Sequence, residues 1–118
     1  MIKRHTISFY HAFAGLSHSL RTQPNFVVHL SISLLAILAG WYLRINPLEW
    51  LIISITIFTG LVIELINTAI ESTVDLVTKE FHPMAKIAKD TSAAAMLVYA
   101  FGSIVIALII FLPKWLSI

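Results

Sequence analysis

The sequence predicts an all-α membrane protein: three transmembrane helices behind an N-terminal amphipathic helix at the interface. Three observations predict it. The 118 residues are 58% hydrophobic and only 12% charged, whereas a soluble domain is about 45–50% apolar and about 25% charged. Three apolar runs, at 26–43, 50–70 and 91–112, each approach the roughly 20 residues that cross about 30 Å of hydrocarbon. The basic residues gather on one side of those runs.

Backbone groups in lipid must be paired within the segment, so each run is expected as a helix. Buried helices of a soluble bundle would carry a polar stripe, and the run 91–112 carries no charge. The helices are expected over about 26–44, 49–77 and 86–112, within a single domain, 1–118. Pro24, Pro47 and Pro83 mark the breaks, because proline disfavours helix at the residue before it. Trp41, Tyr42, Trp50 and Trp115 flank the runs, where aromatic rings favour the membrane–water interface.

Lys3, Arg4, Arg21, Lys79, Lys86 and Lys89 fall on one side, Arg44 and Lys114 on the other. That bias puts the N-terminus and the loop between spans two and three in the cytoplasm, with the C-terminus outside. Ahead of the first span, Phe9, Phe13, Leu16 and Leu20 recur at the spacing of one helix face. Residues 6–21 are therefore expected as a helix lying in the interface. His5, Ser8, His11, Ser17 and His18 interrupt the first twenty residues, so they do not read as a signal peptide.

Several function classes drop out. The chain has no cysteine, so disulfides, thiolate metal sites and cysteine nucleophiles are excluded. A net charge of +2 without aromatic–basic interleaving gives no nucleic-acid footprint. Neither GxGxxG nor GxxxxGK occurs, so no common phosphate-binding loop is present. His29 reads as a histidine reaching for the interface or capping a neighbour. Ala88, Ser92, Ala93, Ala94 and Ala95 read as a close helix-packing surface.

The informative feature lies in the second span. Glu64, Asn67, Glu71 and Asp75 fall at i, i+3, i+7 and i+11, within an arc of roughly 80° at about 100° per residue. Acids inside a span are costly and usually functional. Glu64 lies about 21 Å along the helix from Trp50, near the inner boundary of the hydrocarbon. A carboxylate there could take a proton from a lipid hydroxyl. Glu71 could hold Mg²⁺, which favours one or two carboxylates plus substrate phosphates. Lys89 could neutralise phosphate charge. The spacing alone leaves two other readings open: interhelical hydrogen bonding by Glu64 and Asn67 with a solvated helix end, and a proton or ion relay.

Residues 64–94, ELINTAIESTVDLVTKEFHPMAKIAKDTSAA, resemble the signature of the prokaryotic diacylglycerol kinase family, small integral-membrane lipid kinases. SFYHAFAGL at 8–16 and NFVVHL at 25–30 extend the resemblance over nearly the whole chain. The stretch HPMAKIAKD looks most like the branch that phosphorylates undecaprenol. The resemblance implies a homotrimer with shared active sites in a bacterial-type cytoplasmic membrane. It implies transfer of phosphate from ATP, with Mg²⁺, to a lipid alcohol, either undecaprenol or diacylglycerol. It gives Glu64 the part of catalytic base and Glu71 that of metal ligand. Asn67 supports both base and phosphates, and Arg4, His11, Glu80, His82, Lys89 and Asp90 fall on the ATP side. The family's second metal carboxylate precedes the first span. Gln23 stands there, offering an amide oxygen without charge.

Overall fold

The computed structural model describes residues 2–117, and the side chains of 6–117. Four helices follow in order: α1 (Ile2–Thr22), α2 (Pro24–Tyr42), α3 (Pro47–Val77) and α4 (Pro83–Trp115). Among the described residues there is no strand. The last three are long and apolar enough to cross a membrane, and only 6% of the apolar stretch of α4 is buried inside the chain. That outward apolar surface is tolerable only in lipid, so this is a membrane protein.

Three of the helices begin on proline. The sequence reading treats these prolines as breaks, and they instead sit at the first helical position. There the missing N–H is one that no carbonyl would have accepted, and the fixed φ suits the helix. Hence α2, α3 and α4 start two or three residues earlier than expected. At the other end α4 runs through Pro113 to Trp115.

The turn between α2 and α3 is closed by local chemistry. Arg44 takes a left-handed φ of 51°. Its N–H donates to the Trp41 carbonyl at 3.3 Å, and the Ile45 N–H donates to the Gly40 carbonyl at 3.1 Å. This is the Schellman closure, usually built on glycine. Gly40 has a separate reason to lack a side chain: a Cβ there would stand 2.9 Å from the Ile45 δ-methyl and 3.0 Å from the Trp50 ring. Ile45 can thus fold back and join Ile53 and Ile110 in the small buried core. Asn46 then caps α3 reciprocally. Its side chain accepts from the Glu49 N–H at 2.9 Å, and its own N–H donates to the Glu49 carboxylate at 2.7 Å. Lys114 of α4 reaches Glu49 at 3.1 Å, tying three helix ends together.

Most of the interhelical contact joins α3 to α4, with α2 resting on α3. Near the middle of the bundle α3 and α4 approach closely at Gly60. A Cβ there would run into the ring of Tyr99, with Cζ at 2.5 Å and Cε1 at 2.6 Å. The Tyr99 hydroxyl donates to the Thr56 carbonyl at 2.7 Å. Span three is therefore seated on span two by an aromatic ring over a bare backbone. The small residues Ala93, Ala94 and Ala95 are exposed in the chain. Only Ser92 of that stretch is buried against a neighbour, so the packing expected of the alanines is not made within one chain.

Candidate active site

Glu64 lies one helical turn beyond Gly60 on α3. It is 1% exposed, and it is one of the two largest fully buried side chains. Neither carboxylate oxygen has a hydrogen-bond partner. Buried polar groups are almost always paired, and a carboxylate stripped of water without a donor is costly. Such a group is a candidate functional residue. Two titratable side chains bear on it electrostatically, His29 of α2 and Glu71, a further two turns along α3.

The polar stripe continues from there. The Asn67 carbonyl oxygen accepts a hydrogen bond from the Ser92 hydroxyl of α4, and its amide points toward Glu71 at 3.5 Å. Asn67 and Ser92 are each only 7% exposed, so this bond is a buried tie between the two main helices. Thr68 returns its hydroxyl to the Glu64 carbonyl at 3.0 Å. Such back-bonding satisfies the threonine inside the helix. Glu71 is half-buried, and the long contact with Asn67 leaves most of its acceptor capacity open.

Where α3 ends, a cleft of about 370 Å³ lies between its last turns, the 78–82 loop and the start of α4. Asp75, Glu80, His82, Lys86, Lys89 and Asp90 line it. His82 caps α4 by accepting the Met84 N–H at 3.2 Å, which presents its imidazole to the cleft mouth. The Glu80 N–H donates to the Thr78 hydroxyl at 3.2 Å, shaping the loop. Lys89 reaches across to Asp75 at 2.5 Å, whereas Lys86 pairs with Asp90 on its own helix. Of these two lysines, Lys89 is the one paired with an acid of α3.

Not every expected residue joins this cluster. His11 is exposed on α1, with its ring against that of Tyr10 beside it. Arg4 lies on α1, and its side chain is outside the described residues. Gln23 is the N-cap of α2, makes no side-chain capping bond and is half-buried. Among the described residues, no three His, Asp or Glu side chains converge as a metal cluster. The donor set nonetheless suits Mg²⁺ arriving with phosphates, since that ion is commonly held by one or two carboxylates plus substrate oxygens. Ser92 escaped the sequence reading because a serine among alanines signals only small volume. Its hydroxyl gains meaning from Asn67, 25 residues earlier. His29 escaped it in the same way: its ring lies against Tyr99, 70 residues later, with centroids 5.6 Å apart.

A family model described as prokaryotic diacylglycerol kinase matches residues 10–111. The undecaprenol kinase of Bacillus subtilis is 44% identical over 91% of this chain and 87% of its own length. A diacylglycerol kinase of Synechocystis is 36% identical over 95% of this chain, which spans 65% of that protein. A diacylglycerol kinase of Helicobacter pylori is 35% identical over 81% of this chain and 75% of its own length.

Proposed function

The chain belongs to the prokaryotic diacylglycerol kinase family and is a lipid kinase; we propose that it moves the γ-phosphate of Mg-ATP to the hydroxyl of undecaprenol or diacylglycerol. The observation that carries this is Glu64, fully buried with both oxygens unpartnered on a span at hydrocarbon depth. A lipid hydroxyl is the donor such a carboxylate lacks. Glu64 accepts the hydroxyl proton as the alkoxide oxygen bonds to the γ-phosphorus. The bond from that phosphorus to the bridging oxygen breaks, and ADP leaves. The products are a lipid phosphate and ADP.

Phosphoryl transfer needs positioning and charge neutralisation more than covalent help. Glu71, with its free oxygens, is the residue that would hold Mg²⁺, and Gln23 would add an uncharged oxygen. The ion's chemistry is to offset charge on the β- and γ-phosphates. Asn67, locked by Ser92, offers its amide to phosphate or to Glu71. Lys89 supplies a point charge to phosphate, held ready by Asp75. Glu80, His82 and Asp90 line the nucleotide end of the cleft, and Arg4 and His11, on α1, are the remaining nucleotide-side candidates. The distribution of lysines and arginines supports a cytoplasmic cleft and an outward C-terminus in a bacterial-type membrane. Site residues spread over more than one wall, with α4 largely uncovered, support a homotrimer in which a neighbouring copy completes the cleft. The high identity to an undecaprenol kinase favours the polyprenol over diacylglycerol.

The test supplies Mg-ATP to the protein in detergent with each lipid in turn, and follows phosphate into lipid. Glu64→Gln keeps size and shape but cannot take the proton, so it should be at least 100-fold slower. Transfer to undecaprenol that Glu64→Gln abolishes upholds the reading. A folded wild-type protein that phosphorylates neither lipid overturns it and restores the ion-relay alternative.

A further inference from the structure

The two orphaned oxygens of Glu64 ask for two partners, and the proposed lipid hydroxyl supplies one. The other has to come from the chain or from water. Of the two titratable groups that bear on Glu64, Glu71 is a carboxylate and is not an N–H donor. The remaining one is His29, on a different helix.

His29 is held where it can act. Its ring lies against Tyr99, with centroids 5.6 Å apart and planes 38° apart. Tyr99 is itself immobilised by the hydroxyl bond to the Thr56 carbonyl at 2.7 Å and by the bare Gly60 beneath its ring. Gly60 and Glu64 are one turn apart on the same face of α3. Gly60, Tyr99 and His29 thus form a continuous wall one turn from Glu64, drawn from α3, α4 and α2. His29 also lines the groove that runs between these helices past Ser33, Ala36, Ala100 and Ala107. An imidazole fixed by an aromatic partner loses little freedom on making a further hydrogen bond, which is what an orienting group requires.

We propose that His29 is the positioning residue for Glu64: its imidazole N–H holds one carboxylate oxygen, so that the other faces the lipid hydroxyl. Tyr99, seated on Gly60, fixes the imidazole in turn. This rests on the reading of Glu64 as the base. It converts a histidine of no evident purpose in the first span into part of the phosphoryl-transfer apparatus. Both Glu64 oxygens are unpaired in the structure, so the proposal places this bond in the complex with substrate.

The test has two arms. In the first, imidazole ¹⁵N resonances of the full-length protein in detergent are recorded with and without Glu64→Gln. The His29 signals shift if the two groups touch; unchanged signals overturn the proposal, whatever the enzyme does. In the second, His29→Leu and His29→Gln are assayed on the lipid that the wild type accepts. Leu removes the donor and should lower kcat about 10- to 100-fold with KM for ATP unchanged. Gln retains an N–H and should recover much of it, while thermal unfolding of both variants stays near wild type. Equal losses in both variants, or a loss confined to KM for ATP, overturn the proposal. Coupling in the first arm with no wild-type kinase activity separates the fates of the two ideas: the pair would stand and the kinase reading would fall.

Discussion

Replacing Gly60 by alanine puts one carbon into a close contact between α3 and α4, and its effect can be worked in two opposing parts. Alanine is favoured over glycine within a helix by about 0.8–1.0 kcal/mol. Against that, the new Cβ would meet Tyr99 Cζ at 2.5 Å and Cε1 at 2.6 Å, too close for any real contact. The ring can retreat only by giving up its hydroxyl bond to Thr56 or by pushing α4 outward. Overpacking of this kind costs about 1–3 kcal/mol, and an interhelical hydrogen bond in a membrane is worth roughly 0.6 kcal/mol. The net effect of Gly60→Ala is therefore a loss of up to about 2 kcal/mol. The sign should reverse once the ring is gone. In a Tyr99→Ala background the same change should stabilise by about 1 kcal/mol, because only the propensity part survives. A double-mutant cycle of unfolding in mixed micelles measures the coupling, expected at about 1–3 kcal/mol. A coupling near zero would mean that Tyr99 does not pack on Gly60 and would remove the wall behind His29.

Two other perturbations separate stability from activity. Lys89→Ala breaks an ion pair whose side chains are 40% and 50% exposed, so unfolding should move by less than about 1 kcal/mol. KM for ATP, read from lipid phosphorylation at varied nucleotide, should rise at least tenfold if the lysine meets phosphate. At the opposite end of the bundle, Arg44→Gly relieves a left-handed residue with a Cβ. It should raise stability by about 1 kcal/mol in the same unfolding assay and leave kinase activity unaltered.

The structure also bears on how residues of one stripe take different parts. Glu64, Asn67, Glu71 and Asp75 share a face of α3, yet their surroundings grade from fully buried to half-exposed. On the proposed reading, proton acceptance suits the dry end, and ion pairing and phosphate contact suit the wet end.

Local chemistry was enough to determine the spans, their breaks and the acidic stripe, because each depends on neighbours within a turn or two. Hydrocarbon demands runs of about 20 apolar residues, helical geometry alone puts Glu64, Asn67, Glu71 and Asp75 on one face, and Pro24, Pro47 and Pro83 mark where helices begin. What tertiary structure decided were the pairings between distant segments: Ser92 with Asn67, Tyr99 over Gly60, and His29 against Tyr99. None has a sequence signal, because a serine, a glycine or a histidine acquires its part only from the group that a different helix brings beside it. The same holds for the emptiness around Glu64. A sequence can show that an acid lies in a membrane span, but that both its oxygens are buried without a donor is a property of how α2, α3 and α4 close around it.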